Sequence, residues 1–150
     1  MRIYLDVCAI QRPLDTPSHL RIAIEAEAIL GILALCESGQ VEIVSSDALV
    51  YEIKRNPHPV RREYALAVLE LAKEHLVITK DVEGRANYLV QEGFKPLDAL
   101  HLTFAERGKV DYFCTSDDKL LKRAKRLENL TVKVVTPVEL AVELAEELER

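Results

Sequence analysis

Short β-rich runs alternate with longer helical patterns along the whole chain, and this alternation narrows the possible folds more than any other feature. Four runs stand out: "RIYL" (Arg2–Leu5), "VEIV" (Val41–Val44), "DYFCT" (Asp111–Thr115) and "VKVV" (Val132–Val135). "LVIT" (Leu76–Thr79) is a fifth candidate. Between them, apolar residues recur at helical spacing. Ile22, Ala26, Ile29 and Leu33 line one face of a helix that Ser18 would cap and Gly39 would stop. Ser46 would cap a shorter helix through Arg55, which Pro57 ends, and Val60, Tyr64, Val68, Leu71 and Ala72 resume the helical spacing. Another helix is expected over 82–92. Pro96 suits the first turn of the next, with Gly108 after its end. A basic helix is expected from Asp118 to about Leu127, and a last one from Pro137. Parallel strands need crossover connections, so this order implies an α/β fold around a largely parallel sheet.

The rest of the composition fits that outline. A chain of 150 residues, 49% of them hydrophobic, suits one domain over 1–150 with one core. Without tryptophan, that core must be built mostly from Leu, Ile, Val and Ala. Three cysteines with no C-x-x-C spacing argue against a disulfide framework or a zinc site and fit the reducing cytoplasm. Asp6 interrupts the first apolar run too early for a signal peptide. The longest apolar stretch, Ala28–Cys36, is too short to cross a bilayer, so no membrane association is expected. A net charge of −5 argues against a protein that coats nucleic acid, yet it allows a basic rim around an acidic centre.

Four acids fall where such a sheet binds ligands, beyond the carboxyl ends of its strands. Asp6 ends the first run. Asp117 follows the run ending at Thr115, and the two converge if their strands are neighbours. Glu52 lies on the short helix after the second run, and Asp98 sits in the first turn of an apolar helix. Each also has a structural reading. Asp6 can cap backbone N–H groups, Asp98 can serve the helix dipole, Asp117 or Asp118 can be an N-cap, and Glu52 can pair with Lys54 or Arg55. Together they suggest a centre in which crowded carboxylates need a cation, and oxygen donors without a His/Cys cluster suit Mg²⁺ or Mn²⁺.

The stretches "YLDVCAIQRP", "SSDALVYEI", "FKPLDALHLTFAE" and "YFCTSDDKLLKRA" resemble, in this order, the motifs of PIN-domain ribonucleases, and most closely the VapC-like toxins of type II toxin–antitoxin systems. The resemblance runs from Arg2 to about Val138. It implies a three-layer α/β/α fold with a five-stranded parallel sheet and a Mg²⁺- or Mn²⁺-dependent endoribonuclease acting on RNA. It also implies a homodimer and a cognate antitoxin. The family's four acids map onto Asp6, Glu52, Asp98 and Asp117, with Thr115 as a supporting polar residue. One departure stands out: many relatives have Ser or Thr, then Asn or Ser, after the first acid, where this chain has Val7 and Cys8. Both are expected to pack.

Basic residues flank the proposed centre. Lys54 and Arg55 follow Glu52, and Lys119 and Arg123 follow Asp117, so these four are candidate phosphate contacts. His101 lies three residues after Asp98 on the same side of its helix, and a packed or supporting histidine is favoured over a metal ligand. No motif supplies a base for Cys8 as a nucleophile. The competing reading is a non-catalytic PIN-like RNA- or protein-binding module, which Val7 and Cys8 favour and the four acids disfavour. A phosphotransfer domain lacks a second acid behind Asp6, and a dinucleotide-binding domain lacks G-x-G-x-x-G after the first strand.

Overall fold

The computed structural model describes residues 1–150. β1 (Arg2–Leu5) carries Ile3, Tyr4 and Leu5 fully buried, as a strand covered on both faces must. It pairs in parallel with β2 (Glu42–Ser46) on one edge and with β4 (Tyr112–Cys114) on the other. β3 (Glu74–Leu76) lies outside β2, and β5 (Lys133–Val135) lies outside β4. The order is β3-β2-β1-β4-β5, and every pairing is parallel.

Helices occupy the connections. α1 (Val7–Ile10), a 3₁₀ turn (Arg12–Leu14) and α2 (Leu20–Glu37) lead from β1 to β2. α3 (Asp47–Lys54) and α4 (Pro59–Leu69) lead to β3, and α5 (Lys80–Gln91) and α6 (Pro96–Arg107) lead to β4. α7 (Asp118–Arg126) precedes β5, and α8 (Pro137–Leu148) ends the chain. α2 packs with α8, α3 with α4 and α6, and α5 with α6, completing the three-layer α/β/α arrangement expected from the sequence. No helix is long and apolar enough to cross a membrane.

Local chemistry explains most boundaries. Ser46 caps α3 by accepting the Leu49 N–H at 3.1 Å, and Thr136 forms a reciprocal capping box with Glu139. Gly39 takes φ +82° after α2, a conformation that disfavours a side chain. Three expectations need correction. β3 lies at Glu74–Leu76 instead of Leu76–Thr79, because backbone pairing of Val44, Ser45 and Ser46 sets the register of this edge strand, and Val77 and Ile78 stay exposed. Ser18 does not cap α2, which starts at Leu20 after His19 and has no side-chain cap. Leu71 and Ala72 lie beyond α4, where turns close the chain towards β3.

Strand order creates the site. From central β1 the chain moves outward through β2 and β3, then returns to β4 on the other side of β1. The switch point is therefore the β1–β4 boundary, where Leu5 pairs with Cys114. Asp6 and Thr115, the next residues of the two strands, emerge there side by side.

Candidate metal centre

Asp6 does two jobs at once. As N-cap of α1 its Oδ1 accepts the Val7 N–H at 2.9 Å, while Oδ2 accepts the Thr115 hydroxyl at 2.9 Å and the Cys8 thiol at 3.4 Å. The capping reading and the site reading thus describe one carboxylate. It is only 6% exposed. Burial raises its pKa, Glu52 adds to the rise, and the nearby His101 opposes it.

Thr115 links the two strand ends. Its hydroxyl donates to Asp6 and accepts the Asp117 N–H at 3.1 Å. Asp117 then caps α7, accepting the Lys119 and Leu120 N–H groups at 2.9 and 3.2 Å. Val7 packs as expected, but Cys8 does more than pack. Its Sγ donates to Asp6 and accepts the Ser116 N–H at 3.4 Å, so the thiol takes up part of the orienting role of a hydroxyl. Burial, with Asp6 beside it, pushes this thiol's pKa far up, which works against a thiolate nucleophile.

On the β2 side, Glu52 does not pair with Lys54 or Arg55. Its Oε1 meets His101 Nε2 at 2.8 Å, and the same nitrogen lies 3.9 Å from Asp6 Oδ1. His101 Nδ1 contacts the Tyr4 hydroxyl at 2.6 Å, which lies 2.7 Å from Ser46 Oγ. Burial works against the imidazolium, but the Glu52 hydrogen bond and the fields of Asp6, Glu52 and Asp98 outweigh it and raise the pKa. Both ring nitrogens are thus engaged, Nε2 with Glu52 and Nδ1 with Tyr4. His101 is buried and packed against Tyr4 and Glu52. Tyr4 was missed, although it lies two residues before Asp6 and so shares its side of the strand.

Asp98 is the exception. The other three acids have hydrogen-bond partners, whereas the half-buried Asp98 carboxylate makes neither a hydrogen bond nor an ion pair. Burial, then repulsion from Asp6 only partly offset by His101, then Asp117 and Glu52, raise its pKa from 3.8 to about 6. The fields of the three other carboxylates therefore meet at Asp98. Asp6, Glu52 and His101 each offer one ligand atom, all within 4.8 Å of one another.

The candidate basic contacts divide in two. Lys54 and Lys119 are exposed and make no ion pair. Arg55 donates to the Tyr51 hydroxyl and lies 5.1 Å over its ring, while the Arg123 guanidinium packs against Gly93. A buried carboxylate that the sequence reading did not single out, Glu25, holds Arg12 at 2.7 Å. Arg21 reaches Glu25 at 3.5 Å and Asp118 at 2.7 Å, and donates to the Ser116 carbonyl at 3.2 Å. α2 is thereby tied to the loop that carries Asp117.

No family profile matches the chain, and no curated protein sequence matches it. Solved structures do match in fold. A chain of VapBC2 from Rickettsia felis, crystallised with a DNA fragment from their promoter, superposes with a TM-score of 0.55 at 15% identity, over 91% of this chain and 98% of that one. PAE2754 from Pyrobaculum aerophilum superposes with a TM-score of 0.54 at 16% identity, over 97% and 99%. The fold is the PIN/VapC-like fold that the sequence motifs resemble.

Proposed function

We propose that this chain is a Mg²⁺- or Mn²⁺-dependent endoribonuclease, with residues 1–150 acting as one PIN-like domain. The observation that carries the reading is Asp98: a half-buried carboxylate with no partner, raised to a pKa of about 6 among three other acids. Neutralisation by a bound cation removes that conflict. The candidate donors are mainly carboxylate oxygens, which suit a hard ion, and His101, although within the same group, is engaged at both nitrogens.

In this reading Asp6, Glu52, Asp98 and Asp117 hold the ion, which when bound supplies Lewis acidity for hydrolysis of a phosphodiester. The protein's own contribution is placement. Thr115 and Cys8 fix the Asp6 carboxylate, and His101 fixes Glu52 while Tyr4 and Ser46 hold the imidazole ring. Lys54 and Lys119 are free to meet phosphates. Arg55 and Arg123 would first have to leave Tyr51 and Gly93.

The VapC-like fold supports a role as the toxin of a type II pair, held by a cognate antitoxin in the cytoplasm and assembled as a homodimer. Val7 and Cys8 are what favours the second reading, a PIN-like binding module without catalysis. The retained Cys8–Asp6 hydrogen bond weighs against it. Purified protein incubated with single-stranded RNA separates the two. Cleavage that needs Mg²⁺ or Mn²⁺ and stops with chelator is expected. RNA binding with no cleavage in either ion would point to the module.

A further inference from the structure

The loop from Thr115 to Asp117 joins β4 to α7 and carries the last of the four acids. Its first residue is fixed by the sheet: Thr115 donates its N–H to the Val135 carbonyl at 3.0 Å and its hydroxyl to Asp6. Its last residue is fixed to α7, whose first N–H groups Asp117 accepts. A third contact comes from outside the sheet. Arg21, on α2, donates from Nη2 to the Ser116 carbonyl at 3.2 Å and pairs through Nη1 with Asp118 at 2.7 Å. One guanidinium therefore holds the residues on both sides of Asp117.

The group behind that guanidinium is itself well held. Glu25 lies one turn further along α2 with its side chain only 3% exposed, and its Oε2 is 3.5 Å from Arg21 Nε. The other oxygen, Oε1, is occupied by Arg12, at 2.7 Å from Nη2 and 2.9 Å from Nε. Arg12 also pairs with Asp15 at 3.1 Å, and Asp15 with Arg61 of α4. The Glu25 carboxylate is thus anchored without help from Arg21, and Arg21 carries that anchorage to the loop. All three of its nitrogens meet protein oxygens, whereas Lys122, exposed on the next turn of α7, makes no ion pair.

We propose that Arg21 is a positioning residue for the metal centre: its guanidinium fixes the backbone around Asp117 so that this carboxylate stands where the ion is held, and Glu25 orients the guanidinium. The inference rests on the ribonuclease reading above and adds Arg21 and Glu25 to the groups on which that chemistry depends. Shape matters here as much as charge. A planar guanidinium offers separate N–H groups to two oxygens in a fixed fork, whereas a lysine ammonium is a single point of charge. The Arg21 side chain is 46% exposed, so its pairs add little to stability. A small displacement of a group in the centre is nevertheless costly to rate. Loss of Arg21 should therefore separate activity from stability.

The test compares parent, Arg21→Ala, Arg21→Lys and Lys122→Ala, the last removing another positive charge whose field reaches Asp118. Each is titrated with Mn²⁺ by calorimetry without RNA, unfolded thermally in chelator, and assayed for steady-state cleavage of single-stranded RNA in Mn²⁺. Arg21→Ala and Arg21→Lys should each bind Mn²⁺ roughly 10- to 100-fold more weakly and lose kcat by a similar factor. KM for RNA should stay unchanged, and Tm in chelator should stay within about 2 °C of the parent. Lys122→Ala should match the parent in Mn²⁺ affinity and kcat. Parental Mn²⁺ affinity and kcat in Arg21→Lys overturn the inference, because charge alone then suffices. A raised KM with unchanged kcat overturns it too, because Arg21 would then be a substrate contact. So does a Tm loss above about 5 °C in both Arg21 variants, which would make the role structural. An equal loss of Mn²⁺ affinity in Lys122→Ala overturns it as an effect of charge at any position. A parent that binds Mn²⁺ and cleaves RNA, with Arg21→Ala doing both equally well, overturns this inference alone. A parent that neither binds Mn²⁺ nor cleaves RNA overturns the ribonuclease reading with it.

Discussion

Asp98→Asn should make the metal-free protein more stable at neutral pH and less able to use metal. The folded state holds the Asp98 proton up to a pH of about 6, whereas a solvated carboxyl releases it near 3.8. Between those values the folded state binds more protons than the unfolded, so rising pH costs stability. The cost is absent below the lower value and complete above the upper. At about 1.4 kcal/mol per pH unit a fully sequestered group would cost ~3 kcal/mol. Asp98 is only half-buried, so screening by solvent leaves about 1–2 kcal/mol. Against this, Asp98 stands in the first turn of α6, where losing its charge forfeits about 0.3–1 kcal/mol of helix-dipole interaction. The net gain for Asp98→Asn is about 1 kcal/mol, or a Tm increase of roughly 2–4 °C for a chain of this size. The assay is thermal unfolding in chelator from pH 4 to pH 8. The parent should lose stability across that window, the variant should lose less, and the two curves should converge near pH 4. Added Mn²⁺ should raise the parent's Tm more than the variant's. A variant less stable than the parent at pH 7.5 in chelator, or one with the same pH slope, would refute the argument that Asp98 is an uncompensated charge.

His101→Ala removes the bridge between Glu52 and Tyr4 and leaves a buried hydroxyl with one partner fewer, so chemical denaturation should show a loss of about 2–4 kcal/mol. The same variant should bind Mn²⁺ roughly 10- to 100-fold more weakly by calorimetry, as expected when the residue that orients a ligand is lost. Arg85→Met provides the contrast away from the centre. Arg85 holds the buried Glu106 through two 2.9 Å contacts, so the variant should lose about 3 kcal/mol. Burial alone would raise the Glu106 pKa, but Arg85 and Thr131 together lower it. This pair therefore stabilises the parent above the ordinary carboxyl pKa, and the contribution fades as pH falls below it. Acid unfolding curves of parent and variant should converge at low pH, while RNA cleavage per folded molecule stays unchanged.

How much of this was legible in the sequence depended on how locally each feature is encoded. β1 stands at Arg2–Leu5 as read, because a buried apolar run meets Asp6 with no ambiguity of period. The edge strand β3 was misplaced because its position is set by pairing with β2. Its own most apolar residues, Val77 and Ile78, lie outside it. α1 is four residues long and too short for periodicity to reveal; it exists because Asp6 caps it and β4 holds Asp6 in place. The positions of Asp6, Asp98 and Asp117 in the fold were readable because strand ends and helix starts leave local marks. The contacts from Glu52 through His101 and Tyr4 to Ser46 join four separate elements, and no local pattern records such pairings. The pairing of Glu25 with Arg12 was hidden for the same reason.

The central claim is that the carboxylates at the β1–β4 boundary hold a hard divalent ion that cleaves RNA, and Asp6→Asn tests it most directly. Asparagine keeps an oxygen to accept the Val7 N–H but loses the charge that a hard cation requires. The measurement is the time course of cleavage of a labelled single-stranded RNA by parent and variant, side by side in Mg²⁺, Mn²⁺ and chelator, with circular dichroism confirming that both are folded. The account predicts metal-dependent cleavage by the parent and a loss greater than about 100-fold in the folded variant, beyond the effect of disturbing a supporting residue. Cleavage by Asp6→Asn at the parental rate would contradict it, leaving Asp6 as the cap of α1 and nothing more.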